Sequence, residues 1–259
     1  MVDPTRGVLY PARLPSFHRL PAPEGAAELA VWIWIPEWDI EAGRSSRQEL
    51  VAYPALNLVV EPHGVSLVGP STRLSHRDLT GRGWAVGALL RPAAVTALID
   101  EPAALRDDER TLDEPGLHAA VVAAMGSGDG HRERAAAVLG SWLADRVGTV
   151  SEPARQANAM AELLMADSSV RDPESAAARL AVSLRTLQRM AHRYVGVSPA
   201  AMIRRRRLQE AAGLVREDPG ADLATIAADL GYADHAHLTN DFRTVLGFTP
   251  SAYRAAGRD

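Results

Sequence analysis

From Glu28 the chain alternates. Leu29, Val31, Ile33 and Ile35 fall on one face of an extended segment and Ala30, Trp32 and Trp34 on the other, which predicts a strand apolar on both faces. Residues 56–61 and 65–69 are apolar runs around Pro62-His63-Gly64 and predict a hairpin. Residues 84–90 predict a further strand, closed by Arg91-Pro92, while residues 1–25 are Pro-rich and aperiodic and read as an irregular arm. After Asp113-Glu114-Pro115 the period changes. Residues 117–125 and 131–147 predict two helices separated by Gly126-Ser127-Gly128-Asp129-Gly130, with Ala136, Leu139, Leu143 and Val147 at helical spacing in the second. Ser151-Glu152-Pro153 opens a third, to about residue 166. The expected fold class is therefore α+β. A β-rich domain over residues 1–113, a small sandwich or barrel with a cupin among its forms, is followed by a helical connector at 114–150 and an all-α domain at 151–259.

Within the last stretch one helix-turn-helix pattern occurs twice, about fifty residues apart. Ala177-Ala178-Arg179-Leu180-Ala181-Val182-Ser183 leads to Leu187-Gln188-Arg189, and Ala227-Ala228-Asp229-Leu230-Gly231-Tyr232-Ala233-Asp234 leads to Leu238-Thr239-Asn240-Asp241-Phe242. In each copy a small Ala three residues before a Leu lets two helices cross closely, and a capping residue opens a second helix with an exposed face. Between the copies, Ser198-Pro199 caps a long helix that reaches about Glu217 and carries Arg204-Arg205-Arg206-Arg207. In that run, the Arg residues nearest the stripe Ile203, Leu208, Ala211 and Leu214 are expected to buttress the bundle, with at least one of the others on phosphate.

The net charge of −4 is unevenly divided. Residues 1–150 carry 14 Arg against 19 acidic side chains and residues 151–259 carry 14 against 13, so the acidic balance belongs to the front half. All cations are Arg, each a planar fork of donors. The absence of Cys excludes disulfides, thiolate zinc sites and Cys nucleophiles, and it fits a reducing cytoplasm. No leader-like segment or membrane-length apolar run is evident, so a cytoplasmic protein without membrane partners is expected.

In the first unit Ser183 is the expected N-cap of a helix at 184–195. Leu187 and Met190 point inward, leaving Arg185, Thr186, Gln188, Arg189 and Arg193 outward. Arg185, Gln188 and Arg189 share one face, and Arg forks match the O6/N7 edge of guanine as Gln matches the N6/N7 edge of adenine. A merely solvated face is the competing reading of that triplet. In the second unit Asp234 caps a helix bearing His235, His237, Thr239, Asn240 and Arg243, of which only Arg243 is permanently cationic. That helix is expected to lean more on phosphate and shape contacts.

These motifs resemble the DNA-binding domain of the AraC/XylS transcription regulators over about residues 155–257. The resemblance rests on residues 183–189, Tyr194-Val195-Gly196-Val197-Ser198-Pro199 with Arg207-Leu208, Ile226-Ala227 through Gly231-Tyr232, Asp234-His235-Ala236-His237-Leu238, Phe242-Arg243, Gly247-Phe248-Thr249-Pro250 and Tyr253-Arg254. It implies seven helices, two helix-turn-helix units on a linker helix, and sequence-specific binding of double-stranded DNA with both units in successive major-groove segments. The expected DNA-binding set is Ser183, Arg185, Thr186, Gln188, Arg189, Arg193, Arg207, His235, His237, Thr239, Asn240 and Arg243. Three positions depart from the family pattern. Ala181 replaces a turn Gly, at about 1 kcal/mol if it must be left-handed; Ala191 replaces a core Phe; and Asn240 replaces a common Arg.

For the front half the expectation is effector sensing, dimerisation or both. Trp32, Trp34, Tyr53 and Trp84 are the candidate effector contacts, with a packed core as the competing reading. The alternative is an enzyme domain fused to a DNA-binding domain, for which Glu61, His63, His76 and Asp78 form the one cluster to inspect. With no nucleophile elbow, phosphate loop or clustered metal ligands, neither an enzyme nor a cofactor or metal is expected. Candidate partners besides operator DNA are RNA polymerase, a small-molecule effector and a second copy of the chain.

Overall fold

The computed structural model describes residues 16–50, 54–218 and 220–256. Its front half is built on antiparallel strands: β1 (Ser16–Pro21), β2 (Ala30–Asp39), β3 (Ser45–Leu50), β4 (Asn57–Glu61), β5 (Gly64–Val68), β6 (Ser75–Thr80), β7 (Arg82–Trp84), β8 (Val86–Leu90) and β9 (Glu109–Leu112). Seven of them form one sheet, ordered β1-β2-β8-β4-β5-β9 with β7 also on β2, and β3 and β6 form a separate ribbon. The alternation around Ile33 and the 56–69 hairpin correspond to β2 and to β4–β5, where Glu61 pairs with Gly64 across the turn. The irregular arm needs correction. Residues 16–21 form an edge strand that pairs with β2 from Ser16↔Glu37 to Pro21↔Trp32, and Pro21 is tolerated at the strand's end because an edge position needs no donor there.

Helix α1 (Pro92–Val95) follows β8, and α2 (Pro115–Met125) and α3 (His131–Val147) pack on the sheet, α2 against β4 and β5 and α3 against β2 and β8. The two helices expected to bridge the halves thus belong to the sheet's own core, which Leu117, Val121, Leu139 and Leu143 extend. Seven helices complete the described chain: α4 (Glu152–Ala166), α5 (Pro173–Arg179), α6 (Leu184–Tyr194), α7 (Pro199–Glu217), α8 (Leu223–Asp229), α9 (His235–Leu246) and α10 (Pro250–Ala256). The beginnings of α4 through α9 follow the caps, with Pro in the first turn of α4, α5 and α7 and Asp or Ser side chains accepting from free amides at α5 to α9.

The apolar interior divides inside α7. One cluster runs from the sheet through α2 to α6 and ends at Met202 and Ile203, while a second begins at Leu208 and holds α8, α9 and Tyr253 of α10. The first helix-turn-helix unit is therefore packed into the front half, and the second unit has its own core at the far end of α7.

Candidate nucleic-acid interface

Helices α5–α6 and α8–α9 are the two units, and their turns repeat bond for bond. In the first, Ala181 N donates to Ala178 O at 3.1 Å and Val182 N to Ala177 O at 3.0 Å. In the second, Gly231 N donates to Ala228 O at 3.0 Å and Tyr232 N to Ala227 O at 2.8 Å. The pivot is left-handed in both, with φ 52° at Ala181 and 72° at Gly231, so the first unit carries the strain of an L residue where the second has glycine. The caps repeat too. Asp172 accepts from Ser175 N and Ser183 from Thr186 N in the first unit, as Asp222 accepts from Thr225 N and Asp234 from His237 N in the second. Hydrogen bonds from the amides of Thr225 and Ala224 and the Thr225 hydroxyl hold the Asp222 carboxyl below its ordinary range, so this cap is charged at neutral pH.

On α6, Leu187, Ala191 and Tyr194 are buried, and Arg185, Gln188, Arg189 and Arg193 are exposed with Thr186 half-buried beside the cap. Ala191 is fully buried, so neighbouring side chains fill the space a larger residue would take. On α9, Leu238, Phe242, Val245 and Leu246 are buried, with Phe242 held in an aromatic group with Phe248 and Tyr253. His235, His237, Asn240 and Arg243 are exposed and Thr239 is half-buried. The His235 ring lies 3.3 Å from the Thr239 hydroxyl, and His237 meets the Tyr232 ring edge-on at 5.1 Å, so part of this face is already engaged within the unit. Arg185, Gln188 and Arg189 thus share one exposed face of α6, whereas the α9 residues spread over a wide arc, with His235 and His237 about 200° apart.

The four consecutive Arg residues of α7 do not act alike. Successive helical residues point about 100° apart, and each guanidinium meets a different neighbour. Arg204 pairs with Asp241 of α9 at 2.7 Å. Arg205 is buried and donates to Ser71 O at 2.6 Å; loss of hydration lowers its pKa to about 10, which leaves it cationic at neutral pH. Arg206 is 1% exposed and donates to the carbonyls of Leu164, Asp167 and Val170 in the connection from α4 to α5. Arg207, one of the expected DNA contacts, lies across the Tyr232 ring at 4.1 Å. Leu214, expected in the apolar stripe, is exposed.

Sequence reasoning missed the ties between the two halves. Asn158 of α4 donates to Glu28 O at 2.8 Å and accepts from Ala93 N at 2.9 Å. Arg106 donates to Gly196 O at 3.0 Å. Gly196 has φ 85°, and a Cβ there would stand 2.7 Å from Ala103 N, so the α6–α7 turn can abut the 3-10 turn Pro102–Leu105 only as glycine. The local signals were a polar Asn between buried Ala157 and half-buried Ala161 and a Gly between two Val residues; neither names its partner.

Among the candidate effector contacts, Trp32 lines a cavity between the halves. Trp34 donates to Asn57 Oδ1 at 3.0 Å and stacks on Phe17, Trp84 packs against the main core, and Tyr53 lies outside the described residues. Of the four residues that could have carried enzyme chemistry, Asp78 pairs with Arg47 at 2.7 Å and Glu61 with Arg77 at 3.0 Å. The pair with Arg47 holds the Asp78 carboxyl below its ordinary range. Among the described residues no group of His, Cys, Asp or Glu could hold a metal ion, and no helix is long and apolar enough to cross a membrane.

With two turns of matching geometry on one linker helix, the C-terminal part of the chain is a helix-turn-helix domain of the AraC type. Residues 176–256 match the family model described as a helix-turn-helix domain, and residues 18–111 match a domain of unknown function (DUF6597). The chain is similar to the HTH-type transcriptional activator RhaS of Escherichia fergusonii, 37% identical over 86 residues, which cover 33% of this chain and 30% of that protein. The chain therefore spans less than a third of the curated relative it matches. Solved structures with an overall likeness include ToxT from Vibrio cholerae, at 12% identity and TM-score 0.42 over 92% of this chain and 95% of that one. Another is the unsaturated fatty acid bound wild-type ToxT of the same organism, at 10% identity and TM-score 0.41 over 93% and 91%.

Proposed function

We propose that the protein is a sequence-specific double-stranded DNA-binding transcription regulator whose helices α6 and α9 enter successive major-groove segments. The observation that carries this reading is the pair of capped helices, each with an exposed polar face, set at the two ends of one 19-residue linker helix. At 1.5 Å per residue α7 is about 28 Å long, close to the ~34 Å between successive major-groove faces on one side of B-DNA. Direct base contact falls to Arg185, Gln188 and Arg189, with Ser183, Thr186 and Arg193 positioning α6 on the backbone. His235, His237, Thr239, Asn240 and Arg243 give the second unit its weaker contact. Arg207 braces Tyr232 and is left out of the DNA-facing set.

The β-rich half serves effector sensing, dimerisation or both. RNA polymerase and a second copy of the chain are its candidate macromolecular partners in the cytoplasm. Genome-wide selection of bound fragments, followed by footprinting on the recovered site, tests the reading. Protection of two major-groove segments about one helical turn apart supports it, and binding without sequence preference contradicts it.

A further inference from the structure

The cavity beside Trp32 has about 220 Å³ of space, and both halves of the protein build it. Trp32 and Leu89 of the sheet and Val95 of α1 face Met165 of α4, Tyr194 of α6 and Met202 of α7. A closed apolar cavity of ~150 Å³ suffices for benzene, so this one has room for a single ring with a short chain.

Charge at its wall is asymmetric. Arg91, between β8 and α1, lines the cavity with its side chain 28% exposed, and its buried Nε has no hydrogen-bond partner among the described residues. Among the described residues its ion pair is a long one, 3.7 Å from Nη1 to Glu162, and that carboxylate is 69% exposed. Glu162 is thus mostly hydrated, whereas Arg91 offers a partly desolvated cation to the interior. Through the accessible part of its guanidinium, a partly desolvated Arg91 can give a ligand carboxylate a charge-assisted bond. Glu162 lines the same cavity, and Asn158, also in the lining, already holds Glu28 O and Ala93 N and so fixes the wall.

We propose that this cavity is a binding site for a small apolar organic acid, one ring or branched chain in size, with its carboxylate on Arg91. The proposal deepens the effector-sensing part of the functional reading. Because the walls come from β8 and α1 on one side and α4, α6 and α7 on the other, such a ligand gains its full contact only while the first reader unit is docked on the sheet.

Calorimetric titration of the full chain without DNA tests it, with phenylacetate as probe and phenylacetamide as its uncharged isostere. Operator recognition plays no part in that titration, so either reading can fail without the other. The expected result is saturable binding of phenylacetate at submillimolar to millimolar Kd, at least about tenfold tighter than the amide. Arg91→Gln should erase that preference while leaving the far-UV circular dichroism unchanged, and Ala161→Phe, which fills the cavity, should abolish both. Equal binding of acid and amide by the unmodified protein, binding indifferent to both substitutions, or no binding up to tens of millimolar would each overturn it.

Discussion

Arg205 of α7 and Ser71 of the loop between β5 and β6 are joined by a 2.6 Å hydrogen bond from guanidinium to carbonyl, deep enough that Arg205 is 4% exposed. The bond ties the front half to the linker between the two readers, next to where the interior changes from one core to the other. Arg205→Gln keeps a donor but loses the fork and the charge. It should speed amide hydrogen exchange in residues 69–73 by at least about tenfold with little change in α6. Uniform acceleration over the whole chain would show instead that the contact supports global stability only.

Arg206 has a different task. Three carbonyls from the end of α4 and the connection to α5 converge on its buried guanidinium, and Glu210 lies 3.5 Å from its Nε. Arg206→Ala should destabilise the protein by about 3 kcal/mol, because it strands buried acceptors and one carboxylate. Lys cannot reproduce the fork, so Arg206→Lys should recover less than half of the loss in urea unfolding.

Ala181 is left-handed at φ 52°, where Gly231 stands in the second unit. Ala181→Gly should therefore stabilise the first unit by about 0.5–1 kcal/mol, the relief of strain exceeding the added freedom of the unfolded chain. Gly231→Ala should do the reverse, since its Cβ would also press on Arg171 Cδ at 3.2 Å. A drop in midpoint for Ala181→Gly would refute the strain argument.

Asp167 accepts from the hydroxyl and amide of Ser169 and pairs with Arg179 at 2.7 Å, which brings its pKa down to about 2. A carboxyl depressed in the folded state stabilises above its unfolded value of ~3.9 and loses that contribution as pH falls towards the folded value. The stability gap between the protein and its Asp167→Asn variant should be constant above about pH 5 and close between about pH 4 and 2. A gap unchanged across that window would mean that the charge on Asp167 does not matter.

What could be read in the sequence follows from how local its cause is. Caps at Ser183 and Asp234, the Pro starts of α4 and α7 and the buried positions of α6 and α9 are set within a few residues, and these were legible. Strand β1 was not, because Pro-rich flanks masked its short alternation and only pairing with β2 makes it a strand. The ribbon β3–β6 has Arg47, Gln48, Arg77 and Asp78 along it and offers no apolar period to find. The Arg run shows the same limit within the candidate site. The pattern divided the four between bundle and phosphate without naming partners, and helix geometry sends them to α9, Ser71, the α4–α5 connection and Tyr232.

The central claim is that α6, through Arg185 and Arg189, is the direct base reader. Mobility-shift titrations of Arg185→Ala and Arg189→Ala on the selected operator and on unrelated DNA at fixed salt test it most directly. Each substitution should cost about 1–3 kcal/mol on the operator, far less on unrelated DNA, and relax base preference locally, with smaller losses for His235→Ala and Asn240→Ala. Equal losses on both DNAs, or larger losses from α9 than from α6, would contradict it.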